Sequence, residues 1–153
     1  MSEPRPGGDF INLDAFDVRP DHANGSLWYI QQNPMKRFGF ELKDGRCVYP
    51  TDGFQIDGAS IPRACWRWIG PPTGFGKHAN YMAAAAIHDW LYQMGQIEGY
   101  WITRQLADRV FYVACRRLNV SGWRCVCMYT ALRIGGGSYW ASHKHGKPGT
   151  PVA

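Results

Sequence analysis

An α+β fold, a small N-terminal antiparallel sheet followed by a three-helix core, is predicted from three observations. Short β-prone runs bounded by turn residues occupy positions 27–56. Apolar stretches at helical spacing follow from position 80 to 135. The chain of 153 residues is 45% hydrophobic with no internal repeat, which fits one domain with a substantial core. The expected organisation is a single domain over 1–153. A strand-rich part covers 1–50, a helical core with a polar centre covers 51–136, and a flexible tail covers 137–153.

Positions 27–32 and 36–42 are β-prone runs separated by Asn33-Pro34, and Asp44-Gly45 is a hairpin signal before a third run at 46–49. Positions 50–53 form another turn, with a brief strand expected at 54–56. After Ile61-Pro62 a short helix is expected over 63–69, closed by Gly70-Pro71-Pro72. The Ala-rich stretch 80–94 predicts a helix that stops at Gly95. Thr103 is placed to cap a second helix running to about Leu118, because Leu106, Val110, Val113, Ala114 and Leu118 recur at helical spacing. Ser121 is expected to cap a third helix, which the run Gly135-Gly136-Gly137 ends. The polar, Gly/Pro-rich segment 138–153 is expected to be mobile unless a partner holds it.

Only 19% of residues are charged, against a mostly disordered chain. The formal charge of +5 suits an anionic partner, whether phospholipid head groups, nucleic acid or a negative protein surface, or serves solubility alone. Positions 1–9 are polar, with no apolar run behind a basic start. The longest run without a charged residue, 22–35 with histidine taken as neutral, is too short to span a bilayer. The expectation is a chain made in the cytoplasm without signal peptide or anchor. Five cysteines, Cys47, Cys65, Cys115, Cys125 and Cys127, are odd in number and lack zinc-site spacing. Buried free thiols are expected at Cys115 and Cys127.

The string Ala85-Ala86-Ile87-His88-Asp89-Trp90-Leu91-Tyr92 is where chemistry concentrates. On a helix, His88 and Tyr92 share one face a turn apart, and Asp89 lies about 100° round the axis. A carboxylate within apolar surroundings is costly unless paired, and the next helix carries Ala107-Asp108 among apolar neighbours. If the two helices are antiparallel, Asp108 reaches a ring nitrogen of His88. That contact fixes the tautomer and stabilises the imidazolium formed when the other nitrogen takes a proton from water. Asp57, in the turn Ile56-Asp57-Gly58-Ala59-Ser60-Ile61-Pro62, is a second carboxylate for Asp89 to join. Two carboxylates with backbone carbonyls and water suit Ca²⁺, whereas zinc favours nitrogen or sulfur.

These elements resemble the phospholipase A2 superfamily, nearest its compact bacterial and fungal branch. The resemblance rests on Asp57 in a loop, on His88-Asp89-x-x-Tyr92, on Asp108 and Phe111 in a later helix, and on Tyr129-Thr130-Ala131-Leu132-Arg133-Ile134-Gly135. It implies His88 as general base, Asp57 and Asp89 as calcium ligands with the Gly58 carbonyl as a third protein oxygen, and Asp108 as the residue that orients His88. It covers roughly 51–136. The secreted enzymes have paired cysteines where this chain has Ala59 and Ala85, as a cytoplasmically folded relative would. The wider pattern, from Thr51-Asp52-Gly53 through Asp57 to Arg63, then Trp66, His88-Asp89 and Ala107-Asp108, more closely resembles a little-characterised protein family common in tailed bacteriophages and prophages. It implies a phage origin, with synthesis in a bacterial host.

The favoured expectation is a phage- or prophage-encoded, Ca²⁺-dependent lipid esterase. A phospholipid or membrane surface would be its partner, and nucleic acid is disfavoured. The rival is a non-enzymatic virion component, a tail or tail-tip protein among other virion proteins, in which the same residues only knit the fold. A weaker third is a hydrolase of another ester or amide. Trp66-Arg67-Trp68 suits either a lipid-contacting lip or ordinary packing. Tyr92 fits a core residue with a bonded hydroxyl, and Arg116-Arg117 a solvated face. His143 and His145 stand too isolated for ligands, and Gly135 to Gly137 lacks the context of a phosphate loop.

Overall fold

The computed structural model describes residues 6–23, 27–56 and 81–153. Asp57, Gly58, Ala59, Cys65, the expected helix at 63–69 and the Trp66-Arg67-Trp68 cluster lie outside these residues.

Antiparallel strands precede the helices, as the sequence predicts, but they form two small sheets where one was expected. Strands β1 (Gly8–Ile11), β4 (Gly39–Leu42) and β5 (Cys47–Val48) form one, in the order β1-β4-β5. Strands β2 (Asp17–Pro20), β3 (Trp28–Gln31) and β6 (Gln55–Ile56) form the other, in the order β2-β3-β6. The Gln32 amide ties the connections together. Its nitrogen donates to the Phe38 and Pro50 carbonyls, and its oxygen accepts from the Phe38 amide at 2.8 Å. Ile30, Phe40, Leu42, Val48 and Ile56 point inward and join one core with the helices.

Helix α1 (Met82–Met94) ends on Gly95, whose φ of 65° is left-handed, a conformation glycine adopts without strain. A hairpin of β7 (Gln96–Ile97) and β8 (Tyr100–Trp101) leads into α2 (Arg104–Arg117), which packs against α1 and β1. Thr103 caps α2 as expected, its hydroxyl accepting from the Leu106 amide at 3.1 Å. Replacing Thr103 by alanine should cost about 1 kcal/mol, read as a shift in the urea midpoint at constant slope. Helix α3 (Gly122–Gly135) follows Ser121, whose hydroxyl makes no capping bond, and packs on α2.

Two expectations are corrected. The segment expected to be a mobile tail is held in place. It begins with a short helix, α4 (Gly137–Ser142), and residues 149–152 then bond along the hairpin. The Trp101 amide donates to Thr150 at 3.1 Å, the Gly149 amide to Trp101 at 2.8 Å, and the Val152 amide to Gly99 at 2.7 Å. His145 packs on Trp140 with ring centroids 4.2 Å apart. It also lies so close to Gly95 that a Cβ there would stand 2.1 Å from its ring. The bonds to the hairpin and the approach of His145 to Gly95 join residues about fifty positions apart, which local composition does not report. The second correction concerns the thiols. Cys115 and Cys125 are buried, whereas Cys127 is exposed, because the apolar residues of α3 cover its outer face as well as its inner one.

Candidate active site

The polar centre forms where α1, α2 and the end of α3 meet. Ala84, Ala85 and Ala86 are buried in α1, and their small side chains leave room for close approach. His88, Asp89 and Asp108 are the buried polar residues among those described.

His88 Nε2 lies 2.9 Å from Asp108 Oδ1, across from α1 to α2. The Tyr92 hydroxyl donates to the same oxygen at 2.6 Å. Arg133 Nη1 donates to Asp108 Oδ2 at 2.7 Å, and Arg104 Nη1 stands 4.0 Å from that oxygen. Arg104 also donates to the carbonyls of Leu132 and Arg133, neutralising the carbonyl end of α3 while fixing the turn that carries Arg133. Tyr92 and Phe111 flank the imidazole, with ring centroids at 4.1 and 5.1 Å. Gly136 lets the chain pass the tyrosine, since a Cβ there would lie 2.6 Å from the hydroxyl.

Burial of the His88 ring opposes its charged form, but the Asp108 bond and the neighbouring Asp89 outweigh this and hold its pKa above the usual value. Burial likewise opposes ionisation of Asp108, but His88, Tyr92 and Arg133 together hold its pKa below the ordinary carboxylate value. Both directions describe one imidazolium–carboxylate pair. The Tyr92 pKa is raised, chiefly by burial and then by Asp108, so its hydroxyl keeps its proton and serves as a donor.

The other ring nitrogen, Nδ1, is buried and has no hydrogen-bond partner among the described residues. Asp89 Oδ1 stands 3.9 Å from it, beyond bonding range. With Asp108 accepting from Nε2–H, the free lone pair of a neutral His88 is on Nδ1. A base oriented by a carboxylate can thus take a proton at Nδ1.

The structure therefore brings His88, Asp89 and Asp108 together, while Asp57 and Gly58 lie outside the described residues. Among the described residues no three His, Cys, Asp or Glu side chains cluster as a metal site. Asp89 provides one hard oxygen donor beside Nδ1, the donor type calcium takes. Sequence reasoning missed Arg133 and Arg104 as partners of Asp108. The only available signal was that a buried acid requires compensating donors, and this does not identify which arginine supplies them.

Residues 35–132 match a family model described as "Protein of unknown function (DUF1353)". The chain belongs to this family. The matched span runs from before β4 into α3, so the family region includes His88, Asp89, Tyr92 and Asp108 but stops one residue short of Arg133. A similar protein is "Uncharacterized protein y4jT" of Sinorhizobium fredii (strain NBRC 101917 / NGR234), 29% identical over 134 residues. The alignment takes in 83% of this chain but 31% of the relative, so the chain spans about a third of that protein's length. No solved structure matches. Among the described residues, no helix is long and apolar enough to cross a membrane.

Proposed function

We propose that this family member is a phage- or prophage-encoded, Ca²⁺-dependent lipid esterase of phospholipase A2 type. The observation that carries this reading is the asymmetry of His88. Asp108 engages Nε2, and the opposite nitrogen, buried beside Asp89, makes no bond among the described residues.

In this reading neutral His88 takes a proton from water at Nδ1 as the oxygen attacks an ester carbonyl. Asp108, held by Tyr92 and Arg133, stabilises the imidazolium that results. The same proton then passes from Nδ1 to the departing alcohol, leaving a fatty acid and a lysolipid. Asp89 would hold calcium, with Asp57 and the Gly58 carbonyl as the further ligands that the resemblance implies. Bound there, calcium would offset negative charge on the carbonyl oxygen.

The test is fatty-acid release from anionic phospholipid vesicles with calcium present, followed across pH. The base must be neutral and its pKa is raised. The rate should therefore climb as pH passes upward through that value, on the alkaline side of ordinary imidazole titration. A rate that falls over this range excludes His88 as the base.

The second reading, a non-enzymatic virion component, is favoured by the full burial of His88 and by the donors that occupy both oxygens of Asp108. A saturated ion pair of this kind can act solely to fix the packing of three helices. Release of no fatty acid at any pH, with the fold intact, favours this reading.

A further inference from the structure

Helix α3 is apolar on two sides. Cys125, Met128 and Leu132 are buried in the core. On the outer side Trp123 is 59% exposed, Val126 53% and Ile134 83%, with Cys127 and Thr130 exposed between them. At about 100° per residue these five positions fall on one stripe, and the eleven steps from Trp123 to Ile134 at about 1.5 Å each make it about 16 Å long. Exposed apolar surface of this continuity marks a contact face rather than scattered surface residues.

The charges beside the stripe have one sign. Residues 81–153 hold eight Lys and Arg against three Asp and Glu, so the entire formal charge of +5 belongs to this half. Two of the three acids, Asp89 and Asp108, are buried. Arg124 lies 5.8 Å from the Trp123 ring centroid. Arg133 stands next to Ile134, and Arg116 and Arg117 occupy the last turn of α2, which packs on α3.

We propose that the outer face of α3 docks the protein onto an anionic phospholipid surface. A helix lying in the interface with apolar side chains in the acyl boundary and arginines at the phosphates has this pattern. The stripe is one side chain wide and carries no carboxylate, so it asks for no shaped counterpart. A second copy would bring two strongly basic halves together, which disfavours dimerisation. The stripe's far end adjoins Arg133, which bonds Asp108. The inference is nonetheless independent of the esterase reading, because binding is measured without turnover.

The experiment is co-sedimentation of the purified full chain with phosphatidylglycerol vesicles and with phosphatidylcholine vesicles. Binding is expected to the anionic vesicles alone, and raising salt from about 0.1 to 1 M should weaken it as the Debye length contracts. Trp123→Ser combined with Ile134→Ser should reduce partitioning more than tenfold, roughly, by removing the inserted area. Arg124→Gln should reduce it about fivefold, the effect of one basic residue near such a surface. Thermal melting of each variant controls for folding. The proposal is overturned if wild type does not pellet, if neutral vesicles bind as well, or if melted-normal variants bind undiminished. It is also overturned if light scattering shows a dimer that the double substitution dissociates, because a second copy then covers the stripe.

Discussion

Asp108→Ala is expected to lower the unfolding free energy by about 3–5 kcal/mol, as removal of one partner from a buried ion pair does. Three donors lose their acceptor at once. His88 Nε2 and the Tyr92 hydroxyl share one oxygen, and the Arg133 guanidinium holds the other. His88 can shed its proton, but Arg133 cannot, and the tyrosine hydroxyl remains buried. Urea unfolding at a pH near 5.5 is the measurement, for a reason set by the two shifted groups. The His88 pKa is raised on folding, so its contribution is complete below the unfolded value, about 6.5, and fades as pH rises through the folded one. The Asp108 pKa is lowered, so its contribution is complete above the unfolded value, about 3.9, and fades as pH falls through the folded one. The difference between wild type and variant should therefore be largest between about pH 4 and 6.5. A loss below about 1 kcal/mol there would show that water, not this pair, satisfies the helices.

His88→Asn is expected to abolish fatty-acid release while costing on the order of 1–3 kcal/mol of stability. The amide can still donate toward Asp108, but it has no lone pair basic enough to take a proton from water. Two numbers from one variant thus separate the two functional readings. Activity lost from an otherwise folded protein supports the esterase. A destabilised variant of a wild type that never releases fatty acid, across lipid head groups and with calcium, leaves the virion component standing.

The helical half was legible in the sequence because its signals are local. Thr103 as a cap, Gly95 as a stop, and the spacing of Leu106, Val110 and Ala114 each need only a few neighbouring residues. The contact between His88 and Asp108 was also legible, since two buried ionisable groups on adjacent helices have few other ways to be satisfied. Strands β1 and β2 were not. Their sequences, Gly-Asp-Phe-Ile and Asp-Val-Arg-Pro, are poor strand formers that become strands by pairing with β4 and β3. The β7–β8 hairpin escaped notice because its turn is Glu98-Gly99, with φ of 48° and 81°. Asparagine or aspartate, the usual companion of glycine in such a turn, is missing. Arg133 was visible as part of a motif, but its partner lies 25 residues earlier on another helix, and no periodicity encodes that pairing.

The hydrogen bonds from residues 149–152 to the hairpin bear on how the chain emerges from the ribosome. The backbone groups of Gly99 and Trp101 find their partners about fifty residues later, so a nascent chain displays this strand edge uncovered during synthesis of the intervening helices. An uncovered edge beside Trp101 is a template for pairing with a neighbouring molecule. Proteolytic nicking within 143–148 would recreate that condition in the finished protein. Its first symptom should then be self-association rather than unfolding, because the helices and both N-terminal sheets retain their own contacts.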